Sequence, residues 1–147
     1  MKVLGLLRHA KSDWDDLTLR DFDRGLNDRG RAGAAVMGAH IRQQDIGWDR
    51  VLASPAARVK RTLEASGLDL PVIYADDAYM GDAATLIDLI QRHGGEGPSL
   101  LLAAHNPGLQ ELVLQLVPPE AENDLFGQVL EKYPTAAFAV LELAIDQ

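Results

Sequence analysis

The sequence predicts an α/β fold in which a largely parallel sheet is covered by helices on both faces. Short apolar runs of strand length alternate with longer stretches whose apolar residues recur at helical spacing. The runs at residues 3–7 and 99–104 are nearly continuous in apolar residues, as expected of strands buried on two sides. Two of the runs lead directly into a capping side chain followed by proline, a signal for the start of a helix.

Residues 3–7 (VLGLL) form the first expected strand, bounded by polar residues. Residues 12–25 read as a loop, with five aspartates interleaved with Trp14 and Phe22. Asn27 is placed to cap a helix that runs to about residue 44, with Val36, Met37, His40 and Ile41 on one face. Residues 50–53 are a second strand. Ser54-Pro55 starts a helix that continues to about residue 66 and stops at Gly67. Residues 71–74 are a third strand, and Asp82 caps a helix carrying Ala83, Leu86, Ile87 and Ile90 at 3.6-residue spacing, ending near His93. Residues 99–104 are a fourth strand. Asn106-Pro107 repeats the cap-and-proline signal before a helix with Leu109, Leu112, Val113 and Leu116 on its buried face. Pro118-Pro119 breaks that helix, an acidic connection follows, and residues 135–143 make a last strand. There is no internal repeat and no low-complexity tract, so residues 1–147 are expected to form one domain.

Composition narrows the function. The chain of 147 residues is 47% hydrophobic and 24% charged, ordinary for a soluble globular protein. No apolar run approaches the ~20 residues needed to span a bilayer, and Arg8-His9 falls where a signal peptide would continue its apolar core. A cytoplasmic protein without a membrane partner is expected. With no cysteine, disulfides, thiolate zinc sites and cysteine nucleophiles are excluded. A formal net charge of −8, with basic residues spread along the chain, argues against a nucleic-acid partner.

Reactive residues fall at three predicted strand ends. In an open parallel sheet, ligands bind beyond the carboxyl ends of the strands. The first strand ends in Arg8-His9, the second in Ser54 with Arg58 one turn later, and the fourth in His105-Asn106. Two of these segments also bring helix N-termini, which favour anions. Singly, each has a bland explanation: a surface charge, a satisfied histidine, a capping side chain. Their common placement on one edge points instead to a phosphate site. His40 and His93 keep the bland explanation, one on a helix face and the other near a helix C-terminus.

The stretches LLRHAKSDW, DRGLNDRG, SPAARVKRT and AAHNPGLQEL resemble, in order and spacing, the motifs of the histidine phosphatase superfamily, and most of all its small SixA-type phosphohistidine phosphatases. The resemblance runs from residue 3 to about residue 116. It implies a phosphoglycerate mutase-like, three-layer α/β/α sandwich with a mostly parallel mixed sheet, and catalysis without metal or other cofactor. It implies His9 as the nucleophile and Arg8, Arg58 and His105 around the transferred phosphoryl group. Arg24 is expected to help bind phosphate, as are Ser12 and Asn106. The implied partner is a phosphohistidine-bearing protein, a phosphotransfer domain or a phosphocarrier protein.

Elementary chemistry agrees with that assignment. A neutral imidazole is a good nucleophile near neutral pH. Phosphoryl transfer asks for positioning and for positive charge on the equatorial oxygens, which two guanidinium forks provide. Many members of the superfamily carry a glutamate after the third strand that protonates an alcohol leaving group. Here that region reads DDAYMGDAATL; Asp76, Asp77 and Asp82 are its acids, and Asp82 is better explained as a helix cap. A phosphorylated imidazole needs no such acid, because it departs as a neutral amine. Ala10 and Gly25 are smaller departures, the second loosening the loop that carries Arg24. The Asp-rich loop reads as a solvated segment, or as one that discourages anionic metabolites while Trp14 or Phe22 meets a protein. The competing expectations are a small-molecule phosphomonoesterase on the same scaffold, a phosphate-binding module without catalysis, and a metal site built on His9 and His105; no His-x-x-x-His pair supports the last.

Overall fold

Leucine, valine and alanine side chains at residues 51–53 and 100–104 are buried whichever way they point, so their strands are covered on both faces. The computed structural model describes residues 2–44, 46–93, 97–117 and 123–143. Its strands are β1 (Lys2–Arg8), β2 (Val51–Ala53), β3 (Val72–Tyr74), β4 (Ser99–Ala104) and β5 (Phe138–Leu143). They form a single sheet in the order β3-β2-β4-β1-β5, parallel throughout except for β5, which runs antiparallel to β1. This is the phosphoglycerate mutase-like mixed α/β arrangement expected above.

Side chains alternate between two cores, as strand geometry requires. Leu4, Leu6, Leu52, Leu100 and Leu102 pack against Leu86 and Leu89 of α3 (Ala83–His93) and Leu109 and Leu112 of α4 (Gly108–Leu116). Leu7, Val51, Ala53, Leu101 and Ala103 face the other way. They meet Trp48, Ile41 of α1 (Asp28–Gln43), and Val59 and Leu63 of α2 (Ala57–Ser66).

Register delivers the site. Arg8 pairs with Ala104, and Ala53 with Ala103, so the residues that follow, His9, His105 and Ser54, emerge side by side. The His9 amide donates to the Ala104 carbonyl and the Ser54 amide to that of Ala103. Because β5 is antiparallel, the segment before it returns to the same edge, where the Arg8 amide donates to Ala137 and the Ala136 amide to His9.

Several local expectations are corrected. On α1, Val36 is 72% exposed and His40 is exposed; the buried stripe is Gly30, Ala34, Gly38 and Ile41. A Cβ at Gly38 would overlap the carbonyl of Ser66, and one at Gly30 that of Lys11. α1 therefore packs by close backbone approach, a contact that a search for large apolar residues does not register. Ser54 does not cap a helix: α2 starts at Ala57, and the Ser54 hydroxyl accepts from the Ala56 amide at 3.2 Å. Likewise α4 begins after Pro107, although the Asn106 side chain accepts from the Gln110 amide at 3.2 Å. The Asp82 and Asn27 caps are present, accepting from Thr85 and Gly30.

The last strand starts at Phe138 rather than at residue 135. The region read as an acidic connection contains α5 (Asp124–Glu131), capped by Asn123, whose Phe126 and Val129 pack on the core. At eight residues with Gly127 inside, its periodicity is short and weak. Pro118-Pro119 lies outside the described residues. Among the described residues, no helix is long and apolar enough to cross a membrane.

Candidate active site

His9 follows the last residue of β1 and is 8% exposed. Its Nδ1 lies 2.7 Å from the Ala10 carbonyl oxygen, which can only accept, so Nδ1 carries the proton and Nε2 the lone pair. The Ala10 amide donates to Thr62 Oγ1 of α2 at 2.9 Å, which anchors the turn after His9. Arg8 points to the same edge, its Nη1 donating to the Tyr133 carbonyl at 2.9 Å.

His105, 2% exposed, faces His9 with ring centroids 5.2 Å apart. Its Nε2 is 2.8 Å from the Ser54 hydroxyl, while Nδ1 is buried without a hydrogen-bond partner, as is Nε of Arg8. Orphaned buried polar atoms are uncommon in folded interiors, and of the four among the described residues these two belong to side chains lining one cavity, while those of Arg24 and Trp48 do not. Arg58, in the first turn of α2, donates from Nη1 to the Asp21 carbonyl at 2.8 Å and from Nη2 to Asp21 Oδ2 at 3.0 Å. The four side chains expected to converge, Arg8, His9, Arg58 and His105, line one cavity of about 410 Å³.

Ser12 and Asn106 line that cavity too. Asn106 is held there by donating Nδ2 to the Tyr133 carbonyl at 3.0 Å. Arg24 does not line it, contrary to expectation. Its guanidinium is buried in the loop, donating to the carbonyls of Asp16 at 2.9 Å and Leu19 at 3.1 Å. Asp76 and Asp77 form a short 3-10 turn away from the cavity, and Asp82 caps α3. From that same segment, Met80 reaches the cavity, and Tyr79 stands edge-on to His105 with centroids 5.5 Å apart.

Sequence reasoning missed Asp21, the carboxylate that lines the cavity among the described residues. Asp21 Oδ2 accepts from the Tyr79 hydroxyl at 2.6 Å as well as from Arg58. Nothing in the spacing separates it from its four neighbouring loop aspartates. Asp13 and Asp16, by contrast, accept from amides two residues ahead and merely shape the loop.

Burial and charge set the protonation states. Desolvation, together with the nearby Arg58 and Arg8, pushes the His9 imidazole down to about 4 despite its bond to Ala10. Desolvation, Arg58 and His9 push His105 down to about 3. Asp21 is held below the usual carboxylate range, first by the Tyr79 hydroxyl and then by Arg58. At neutral pH the His9 and His105 imidazoles are thus neutral and the Asp21 carboxylate ionised, beside the guanidinium groups of Arg8 and Arg58; Lys11 also lines the cavity. A neutral nucleophile between fixed positive charges is suited to phosphoryl transfer.

Fold and cavity define a class, the α/β proteins whose site lies beyond the carboxyl ends of parallel strands. Comparison with known sequences defines the family: residues 4–78 match the histidine phosphatase superfamily (branch 1), and the chain belongs to it. Among relatives, the uncharacterized protein Rv1276c of Mycobacterium tuberculosis is 34% identical over 139 residues, 94% of this chain and 87% of that one. The fold is similar to that of a protein assigned to SixA from Agrobacterium tumefaciens, with a TM-score of 0.84, 30% identity and coverage of 96% of this chain and 91% of the other. It is also similar to the protein histidine phosphatase SixA complexed with tungstate, with a TM-score of 0.77, 27% identity and coverage of 94% and 86%.

Proposed function

We propose that the protein is a metal-independent phosphatase that removes the phosphoryl group from phosphohistidine in a protein, through a covalent intermediate on His9. His9 Nε2 attacks phosphorus and the P–N bond to the substrate imidazole breaks. That imidazole keeps the proton on its other nitrogen and departs neutral. Water then attacks phosphorus, the P–Nε2 bond breaks, phosphate carries away the proton lost by water, and His9 returns to its Nδ1–H form. Arg8 and Arg58 match the equatorial oxygens, and His105 with Asn106 and Ser12 completes the phosphate seat. Substrates of the implied kind are phosphotransfer domains and phosphocarrier proteins of the cytoplasm.

One observation carries the choice of substrate. The cavity's carboxylate, Asp21, is ionised at neutral pH and so has no proton for an alkoxide leaving group. Exchange of phosphoryl between two imidazoles needs none. Tungstate bound to a SixA phosphatase of similar fold, a tetrahedral oxyanion on a related scaffold, supports the phosphate assignment. The test compares kcat/KM for a phosphohistidine protein with that for a phosphorylated sugar or glycerate, with chelator present. Preference for the phosphohistidine protein, unaffected by chelator, is expected; preference for the sugar or glycerate ester refutes the reading.

A further inference from the structure

Arg24 belongs to a motif expected to reach phosphate, yet it lies under an indole. Its Nη atoms donate to the carbonyls of Asp13, Asp16 and Leu19. Its guanidinium carbon is 4.1 Å from the centre of the Trp14 ring. Arg24 is 5% exposed and Trp14 is 59% exposed. A guanidinium stacked on one face of an indole fixes the plane of the ring and leaves the opposite face open. Trp14 also lines the cavity that holds His9 and Arg58. Met80 joins it there, 51% exposed, with its sulfur 3.7 Å from Arg58 Nη2.

The phosphoryl group is tetrahedral and anionic, and the arginines and histidines match it. An indole face and a thioether offer it nothing. They match what is attached to it, a flat polarizable ring.

We infer that Trp14, seated on Arg24, is the platform for the leaving group and selects a planar heteroaromatic one such as a phosphorylated imidazole. Arg24 is then a positioning residue: it orients the indole and touches neither phosphate nor substrate. The inference rests on the phosphohistidine reading and extends it to the group that departs. It also accounts for the burial of a motif arginine outside the cavity.

The experiment uses two P–N substrates that differ in the leaving group: a phosphohistidine peptide, which releases imidazole, and phosphoramidate, which releases ammonia. The quantity read is the ratio of their kcat/KM values. Aromatic stacking of this kind changes binding by roughly five- to tenfold at its lower end, so Trp14→Ala lowers the ratio by about that factor. Trp14→Phe keeps the ratio within about twofold of the original, because a flat face remains. Leu17→Ala, in the same loop at 78% exposure and outside the cavity, leaves the ratio unchanged. An equal loss on both substrates in Trp14→Ala shows a merely structural role and overturns the inference, as does a ratio that does not move. An unaltered protein that hydrolyses phosphoramidate but not the phosphohistidine peptide overturns the phosphohistidine reading itself, and this inference with it.

Discussion

The floor of the cavity and its outer wall differ in how they are held. His9, Arg58 and His105 are each at most 8% exposed, and the strand ladder and the core beneath it fix them. The wall comes from the loop at 12–25, where Trp14 is 59% and Leu17 78% exposed. That loop is shaped by its own contacts, the Asp13 and Asp16 side chains bonding nearby amides and Arg24 bonding three carbonyls. Burial on the floor keeps both imidazoles neutral, which the proposed attack by His9 requires. The wall can change its side chains without disturbing the sheet, and in the proposed reading it is the part that selects the phosphorylated group.

The sharpest way to break this division is to remove the proposed nucleophile from the floor. His9→Ala is expected to lower turnover by roughly 10⁴-fold or more and to abolish acid-labile phosphate labelling. Retained turnover would place the chemistry elsewhere.

A smaller effect concerns stability against acid. The folded imidazoles titrate at about 4 for His9 and about 3 for His105, below the ordinary value of 6.5. As pH falls through 6.5 the unfolded chain therefore takes up protons that the folded one refuses. Stability present above that pH is lost progressively down to the folded values, at most about 2 kcal/mol per histidine by pH 5. Denaturant titrations at pH 7.5 and pH 5 should show this loss in the unaltered protein and about half of it in His9→Ala. Equal losses in the two proteins would mean that His9 is not buried as described.

The smallest effect belongs to the wall. Asp21→Asn removes a negative charge beside Arg58, and inorganic phosphate should then inhibit a few-fold more tightly, because the guanidinium no longer shares its charge with a carboxylate. An unchanged or weaker inhibition constant would separate Asp21 from the phosphate seat.

Much of the floor was legible in the sequence because strands announce themselves by continuous apolar runs and end abruptly in polar residues. RHA, SPAAR and HNP each follow such a run, and a parallel sheet brings their ends to one edge. On α1 the pattern of large apolar residues finds Met37 and Ile41, which do face the core, but places Val36 and His40 with them and overlooks Gly30, Ala34 and Gly38, since close backbone contact leaves no hydrophobic signature. α5 was hidden for a similar reason, being short and interrupted by glycine.

The sequence by itself determined the α/β class and the four side chains Arg8, His9, Arg58 and His105, because both depend on local pattern and on a general rule of sheet topology. Only the tertiary structure decided what the loop does. Placing Asp21 against Arg58 and Tyr79, and turning Arg24 beneath Trp14 instead of toward the cavity, depends on contacts between segments up to 58 residues apart, which have no periodicity for a sequence to display.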